Sequence, residues 1–243
     1  RNMLKAANIQ PGMQVLEIGP GPGALTEALL NAGASVVAVE MDSKLAAALH
    51  ELKSEGQYLK VIQKDVLETS WEEIRLAFPD PGKKIHLIAN LPYHITTPVL
   101  AKFVPLSTDI EQILVMVQDE VAKRFSAKYG TSDFGSITLF LQFYADIHYE
   151  FKVGRKCFLP APKVDSAIVK LTLHSPPQGI DPDRFFAMTR RAFQQRRKAV
   201  RSSLKEVYPQ EKLTAILTSL GLTALARPEE LSLENWLKIY TES

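Results

Sequence analysis

The sequence predicts an α/β fold, in which a seven-stranded Rossmann-like sheet with an antiparallel last strand precedes a small all-helical C-terminal domain. Short apolar runs alternate with helical patterns from residue 14 to residue 173, which is typical of a largely parallel sheet. A glycine-rich turn joins the first strand to its helix. Beyond a proline-containing linker at 175–179 every pattern is helical. We therefore predict one domain over 1–175 and a second over 181–243.

Seven apolar runs carry the sheet prediction, and each is bounded by polar or turn-forming residues. The predicted strands are 14–18, 35–39, 59–63, 84–89, 110–118, 147–153 and 166–173. The predicted helices are 24–31, 43–52, 71–78, 97–104, 119–125 and 137–144 in the first domain, and 182–195, 199–207, 211–220 and 232–240 in the second. The last two strands form a hairpin at the end of the sheet, which makes the final strand antiparallel.

Composition narrows the class of protein. The chain has 243 residues, 46% of them hydrophobic and 23% charged, as in ordinary soluble globular proteins. A single cysteine, Cys157, excludes an intrachain disulfide and a cysteine-based metal cluster, so we expect a reducing compartment and no metal. No apolar run approaches the roughly 18 residues of a membrane span. The chain starts at Arg1, so we expect an upstream segment to be missing from it.

Candidate ligand-binding residues follow the first three strands. Glycines in the turn Gly19-Pro20-Gly21-Pro22-Gly23 allow a ligand to approach the backbone, although this signal alone is weak. Glu40, 21 residues after Gly19, ends the second strand, where a carboxylate can accept hydrogen bonds from both ribose hydroxyls of an adenosine. Asp65 and Val66 follow the third strand and suit an adenine amino group and ring. The alternative is that these carboxylates are only solvated strand ends.

The sequence Asn90-Leu91-Pro92-Tyr93 leaves the fourth strand and suits a planar amine. The exocyclic nitrogen of adenine is a poor nucleophile because its lone pair is delocalised into the ring. If the Asn90 side-chain oxygen and the carbonyl of Leu91 or Pro92 accept its two hydrogens, the lone pair can turn toward an electrophile. Tyr93 would clamp the base by stacking. The alternative reading is an ordinary turn after a strand.

Charge is divided unevenly along the chain. Residues 1–150 carry 13 Lys and Arg against 18 Asp and Glu, whereas residues 151–243 carry 16 against 9. The segment 184–205 contains basic residues and no acidic one, which favours a polyanionic partner over a mixed-charge solvated helix face. Phe185, Phe186 and Phe193 are expected to form the core beneath it. The candidate nucleic-acid contacts are Arg190, Arg191, Arg196, Arg197, Lys198 and Arg201.

With these pieces placed, the chain resembles the S-adenosylmethionine-dependent rRNA adenine dimethyltransferases of the kasugamycin-resistance (KsgA) family. Six stretches match in family order across nearly the whole length. They are Val15-Leu16-Glu17-Ile18-Gly19-Pro20-Gly21, Val39-Glu40, Asp65-Val66, Asn90-Leu91-Pro92-Tyr93, the run from Phe158 to Ser166, and the run from Phe193 to Lys198.

The resemblance implies a methyltransferase fold and dimethylation of two adjacent adenosines near the 3′ end of small-subunit rRNA during ribosome assembly. We further expect a monomer that acts in the cytoplasm, or in an organelle matrix or stroma. The implied cofactor contacts are Glu17, Gly19, Gly21, Glu40, Met41, Asp65, Val66 and Asn90. The family also uses a Gln-Asn-Phe-Leu-like segment upstream of the glycine turn, which this chain lacks, so some contacts cannot be assigned to it.

The expected reaction is direct displacement, with the amine attacking the methyl carbon and the sulfonium leaving. Tyr93 and Phe158 would sandwich a base flipped out of its stack, although Phe158 could instead only pack under its turn. A methylated, positively charged aromatic amine loses its proton readily, so no strong base is needed. His94 is expected to be structural or exposed. The alternatives are an erythromycin-resistance methyltransferase of large-subunit rRNA, a DNA adenine methyltransferase, a non-catalytic nucleic-acid-binding factor on this fold, and a nicotinamide dehydrogenase.

Overall fold

Seven strands form one sheet in the computed structural model, which describes residues 2–92, 95–158 and 162–242. The strands are β1 (Gln14–Ile18), β2 (Ser35–Glu40), β3 (Leu59–Gln63), β4 (Ile85–Asn90), β5 (Ile110–Gln118), β6 (Ala145–Val153) and β7 (Ser166–Leu173). Their order is β3-β2-β1-β4-β5-β7-β6, and β7 runs antiparallel to both of its neighbours. The predicted sheet, including its antiparallel last strand, is confirmed.

The central strands are buried on both faces, which explains their continuous apolar runs. Every residue of β1 is buried, and Val15, Leu16 and Leu87 have no exposed surface. Parallel pairing sets Ile18 of β1 beside Val39 of β2 and Ala89 of β4. The carboxyl ends of these strands therefore meet at one edge of the sheet, where ligands bind in open α/β folds.

Eleven α-helices occur in the described residues. They are α1 (Asn2–Ala6), α2 (Ala24–Asn31), α3 (Ser43–Leu49), α4 (Trp71–Leu76), α5 (Thr96–Phe103), α6 (Asp119–Phe125), α7 (Ser136–Gln142), α8 (Pro182–Gln194), α9 (Val200–Ser203), α10 (Gln210–Ser219) and α11 (Leu233–Glu242). Short 3₁₀ turns occupy His50–Leu52, Arg155–Cys157 and Pro228–Glu230. None of the helices in the described part of the chain combines the length and apolar character needed to cross a membrane.

The largest differences between predicted and observed helices are at the C-terminal ends of two of them. The helix predicted over 43–52 finishes as the 3₁₀ turn His50–Leu52. The helix predicted over 199–207 is only the single turn α9, after which the N–H groups of Val207 and Tyr208 both donate to the Leu204 carbonyl. Pro209 follows directly, and the residue before a proline avoids helical conformation, so this second turn cannot extend into a longer helix.

The chain folds into two compact units. The first comprises Arg1–Ala122 and Ala145–Ser175, and the second comprises Lys123–Tyr144 and Pro176–Ser243. The second unit thus includes residues 123–144, which the sequence placed in the first domain.

Aromatic packing accounts for the membership of 123–144. The Phe143 ring lies 5.1 Å from the Phe185 ring, and Phe140 lies 5.1 Å from Phe186. Phe143 and Phe185 are fully buried, so α7 and α8 share the core of the second unit. Each buried aromatic ring contributes on the order of 3 kcal/mol to the stability of the fold.

Candidate active site

Predicted site residues stand at the carboxyl ends of four neighbouring strands. Asp65 follows β3, Glu40 ends β2, Gly19 follows β1, and Asn90 ends β4. Neighbouring strands lie about 4.8 Å apart, so this row spans about 14 Å across the sheet. A row of that length accommodates an extended ligand laid across the strand ends.

The glycine turn after β1 leaves open space beside its backbone, because glycine carries no side chain. Gly19 and Gly21 have φ angles of 62° and 57°, a left-handed conformation that favours glycine. A Cβ atom built on either would meet no atom within 4 Å, so the space beside them is free for a ligand. The Gly19 N–H donates to the Val39 carbonyl at 3.0 Å, which joins the turn to β2.

Glu40 is held by the backbone at both carboxylate oxygens. Its Oε2 accepts from the Gly21 N–H and its Oε1 from the Asp42 N–H, each at 3.0 Å. Only 8% of Glu40 is exposed. Each oxygen retains one further lone pair, so the fixed carboxylate can still accept two hydroxyl groups. The next residue, Met41, is 70% exposed and free to cover a ligand bound at Glu40.

The loop after β3 is fixed by a lysine that sequence reasoning missed. Asp65 Oδ1 accepts from the Leu67 N–H at 2.8 Å, and Val66 is buried. Lys102, from α5, donates to the carbonyls of Val66, Leu67 and Thr69 at 2.7, 3.0 and 2.5 Å. Removal of the Lys102 ammonium from water lowers its pKa, while the Asp65 carboxylate raises it. Lys102 therefore fixes the conformation of the loop that carries Asp65 and Val66.

A cavity of about 480 Å³ connects the glycine turn with the end of β4. Of the predicted site residues, Glu17, Gly19 and Asn90 line it. Four lining residues from outside the glycine turn and α2 were not predicted, and they are Met3 and Leu4 of α1, Met116 of β5, and Cys157. Met116 could have been found from strand order, because it pairs with Asn90 across β4 and β5. The other three come from segments whose approach to the cavity has no local signal in the sequence.

Glu17 places a buried carboxyl group in the cavity wall. The residue is 1% exposed, and the Thr26 hydroxyl donates to its Oε2 at 2.6 Å. Burial raises the pKa of Glu17 to about 7, opposed by the Thr26 hydrogen bond and reinforced by the Glu40 carboxylate. A cation in the cavity would stabilise the ionised form, so this wall suits a ligand that carries an ammonium group.

The end of β4 exposes the proposed amine-binding groups. Asn90 and Pro92 are exposed, whereas Leu91 is buried. The Pro92 carbonyl already accepts from the Ile95 N–H at 3.1 Å and the Thr96 hydroxyl at 3.4 Å. Those two donors fill its lone pairs. The Leu91 carbonyl is therefore the better second acceptor, beside the Asn90 side-chain oxygen, for the two hydrogens of an amine. Tyr93 and His94 lie outside the described residues.

Phe158 is half-buried against the hydrophobic cluster that contains Met116 and Ile168. It directly follows Cys157, which lines the cavity. The structure thus places Phe158 next to the site, with part of its ring committed to packing.

The six basic residues predicted to bind nucleic acid fall into two groups. Arg196 donates to the carbonyls of Ser132 and Phe134 at 2.6 and 2.7 Å and lies 3.7 Å from Glu229. Arg191 forms an ion pair with Glu206, and Arg201 is half-buried. Within the described part of the chain, no ion pair or hydrogen bond engages the exposed side chains of Arg190, Arg197 and Lys198.

The residues at the sheet edge fit S-adenosylmethionine. The open glycine turn, the acceptor pair of Glu40 and the buried Glu17 carboxyl match a backbone-contacting nucleoside, its ribose and an amino-acid ammonium group. The cavity volume lies within the range of small-molecule sites. The described residues hold no group of three or more His, Cys, Asp or Glu side chains arranged for a metal. Fold and site define a Rossmann-like methyltransferase that uses S-adenosylmethionine.

The chain belongs to the ribosomal RNA adenine dimethylase family, whose sequence pattern matches residues 1–243. It is 48% identical over 242 residues to ribosomal RNA small subunit methyltransferase A of Protochlamydia amoebophila, covering 100% of this chain and 85% of the relative. It is 44% identical over 246 residues to the protein of the same name from Chlamydia muridarum, covering 99% of this chain and 85% of that relative.

Two solved structures share the fold over nearly the whole chain. A dimethyladenosine transferase from Plasmodium falciparum has a TM-score of 0.80 at 26% identity, covering 99% of this chain and 93% of its own. The 23S rRNA methyltransferase ErmE has a TM-score of 0.78 at 27% identity, covering 99% and 95%. Because the two scores are nearly equal, backbone shape alone does not separate these two kinds of rRNA methyltransferase.

Proposed function

We propose that this protein transfers methyl groups to the exocyclic N6 amines of two adjacent adenosines near the 3′ end of small-subunit rRNA. The relatives at 48% and 44% identity are both named as small-subunit rRNA methyltransferases. The single observation that carries the chemistry is that Asn90, Glu17 and Gly19 line one cavity. An amine acceptor and a cofactor-binding wall then face the same space.

Asn90 and Leu91 prepare the amine for reaction. Bound S-adenosylmethionine supplies a methyl group on a positively charged sulfur. The Asn90 Oδ1 and the Leu91 carbonyl accept the two N–H groups of the target amine, which draws its lone pair out of the ring and toward the cavity. Fixing both hydrogens also fixes the direction of attack, which lowers the entropic part of the barrier. The methylated nitrogen carries a positive charge and releases its proton to water, so no side chain has to act as a strong base.

The remaining edge residues hold the cofactor, and Tyr93 and Phe158 hold the base. Glu40 accepts the ribose hydroxyls, with Met41 covering the site, and Asp65 and Val66 contact the adenine. Gly19 and Gly21 admit the cofactor to the backbone, and Glu17 faces its ammonium group. The base leaves its stack to reach Asn90 and is stacked by the two aromatic rings.

The second unit binds the RNA backbone through Arg190, Arg197 and Lys198. These three cations are exposed and engage no other described residue, so they can neutralise phosphates without losing internal contacts. Arg191 and Arg196 contact residues of the same unit, and Arg201 is half-buried. The physiological partner is a small-subunit assembly intermediate in the cytoplasm, and the protein acts on it as a monomer.

Mass analysis of RNA after incubation with isotopically labelled S-adenosylmethionine tests the proposal. Four substrates are compared, and they are small-subunit assembly intermediates, mature small subunits, large-subunit rRNA and DNA. We expect two labelled methyl groups on each of two neighbouring adenosines in the first substrate and little label elsewhere. Label confined to DNA, or absent from all four substrates, would contradict the proposal.

A second candidate is methylation of large-subunit rRNA, which the TM-score of 0.78 to ErmE favours. The same experiment separates the two, because this alternative requires label in the large-subunit RNA.

A further inference from the structure

A second cavity, of about 380 Å³, lies in the first unit near the carboxyl end of β5. It is lined by Gln118, Asp119, Arg155, Lys163, Val164 and Asp165, together with Glu120. The sequence assigned none of these residues a catalytic or cofactor-binding role, although Lys163, Val164 and Asp165 lie in the family-matching run from Phe158 to Ser166. The cavity is therefore a feature that methyl transfer at Asn90 does not explain.

Two segments place this cavity next to the methylation cavity. Met116 lines the first cavity and Gln118 the second, and the two are separated by one residue on β5. Side chains at i and i+2 lie on one face of a strand, about 7 Å apart. The 3₁₀ turn Arg155–Cys157 repeats the arrangement, because Cys157 lines the first cavity and Arg155 the second. The two cavities are thus neighbours along both β5 and this turn.

The second cavity presents acceptors and cations together. Asp165 accepts from Lys152 Nζ at 2.8 Å and from the Arg155 N–H at 2.9 Å, which lowers its pKa and keeps it ionised. Asp119 Oδ1 accepts from the Tyr149 hydroxyl at 2.7 Å. The two bonds to Asp165 fix its carboxylate in place while leaving lone pairs that can accept from ribose hydroxyls or base amines.

Arg155 and Lys163 supply the cations. The Arg155 guanidinium donates to the Lys163 carbonyl at 3.3 Å, which holds the two residues at the same rim. Both side chains are exposed, so they can reach a phosphate from the cavity. Gln118 is half-buried in the wall and carries an amide that can both donate to and accept from a base edge.

We propose that the second cavity binds the nucleotide adjoining the target adenosine in the RNA chain. This inference rests on the proposed function, because it requires the target base to lie at Asn90. Asn90 pairs with Met116, two residues before Gln118, so the nucleotide joined to the target lies within reach of the second cavity. Arg155 and Lys163 contact the phosphate of that neighbour, and Gln118 contacts its base. The cavity makes the enzyme sensitive to the nucleotide beside its target.

A thermodynamic cycle between Gln118 and the neighbouring base tests the contact. Wild type and Gln118→Ala are compared on an RNA substrate that is intact and on one that lacks the base on either side of the target. We expect Gln118→Ala to lower kcat/KM about tenfold on intact RNA, and to have almost no effect on the RNA lacking the contacted base. Equal loss on all these substrates would overturn the assignment of Gln118.

Arg155→Ala tests the phosphate contact, with Lys156→Ala as the matched control. Lys156 is the next residue, carries the same charge and is exposed, but it does not line the cavity. We expect Arg155→Ala to raise KM for RNA about tenfold and to reduce its salt dependence by about one charge, with cofactor affinity unchanged. Lys156→Ala should shift KM by less than about twofold.

The outcomes separate this inference from the proposed function. If wild type labels no small-subunit rRNA, the proposed function fails. If wild type labels it and Gln118→Ala and Arg155→Ala both behave like Lys156→Ala, only the second cavity is wrongly assigned. Thermal unfolding of each variant, measured alongside, shows that any loss arises in a folded protein.

Discussion

The sheet edge of the first unit and the basic stretch of the second unit fix their polar side chains by different means. At the edge, Glu40 is held by N–H groups of the adjoining turns, which the strands themselves position. In the basic stretch, Arg196 reaches carbonyls of residues 62 and 64 positions away. Strand order alone thus places the first set of residues, whereas only tertiary structure decides which cations of the second set are free.

The largest effect is expected at the sheet edge, on the methylation rate of the Asn90→Ala variant. Loss of the side-chain acceptor leaves one hydrogen of the target amine unheld, so methylation should fall by at least about a hundredfold. Affinity for RNA should stay within about threefold of wild type, measured by filter binding.

Asn31→Ala is the matched control for that variant. Asn31 is an exposed asparagine at the end of α2, and its loss should leave the rate unchanged. An Asn90→Ala enzyme with wild-type activity would remove Asn90 from the mechanism.

The next effect concerns the stability of the first unit. Burial raises the pKa of Glu17 to about 7 in the folded protein, whereas an unperturbed glutamate, as in the unfolded chain, has a pKa of 4.5. The folded state thus binds more protons between these values, so the free energy of unfolding should fall as pH rises from about 4.5 to 7. Glutamine does not titrate, so the Glu17→Gln variant should not lose stability over this range. Above pH 7 its free energy of unfolding should exceed that of wild type by about 3 kcal/mol.

Urea unfolding of wild type and Glu17→Gln at pH 5, 6, 7 and 8 measures that difference. The glutamine can still accept from the Thr26 hydroxyl, so the core contact is retained. Cofactor affinity of the variant should fall, because a neutral amide cannot pair with an ammonium group. Parallel stability curves for the two proteins would show that Glu17 titrates normally.

A smaller effect separates the two kinds of arginine in the second unit. Arg196→Ala removes two hydrogen bonds to the 131–135 loop and leaves Glu229 without its cation, so unfolding free energy should drop by about 2 kcal/mol. Arg197→Ala, one residue on and exposed, should change it by less than about 0.5 kcal/mol. Similar losses in the two variants would erase the distinction between paired and free cations.

The smallest effect is expected from reversing the free cations. The triple variant Arg190→Glu, Arg197→Glu and Lys198→Glu should bind RNA about tenfold more weakly, with a salt slope reduced by about three charges. Stability and cofactor affinity should not change. Reversing Lys44, Lys53 and Lys60, which are exposed on the first unit, alters net charge equally and serves as the control. Equal loss of affinity in both triple variants would indicate general charge repulsion instead of a defined surface.

Much of the fold could be predicted because its signals are local. The central strands are short apolar runs closed by glycine or polar residues, and their carboxyl ends then fix where Gly19, Glu40, Asp65 and Asn90 stand. The hydrogen bonds from Lys102 to the loop after β3 could not be predicted, because the three carbonyl partners lie at least 33 positions from Lys102 in the sequence. The same holds for Met3 and Cys157 at the cavity, which tertiary packing brings there.

The membership of residues 123–144 in the second unit bears on biosynthesis. A ribosome makes α7 before β6, β7 and α8, so Phe140 and Phe143 emerge without the rings that later bury them. A fragment released at Ser175 would keep these apolar side chains and lack their partners, which favours aggregation. Synthesis from the N-terminus therefore completes the second unit only when the C-terminal helices have been made, and a fragment that ends at Ser175 should be insoluble.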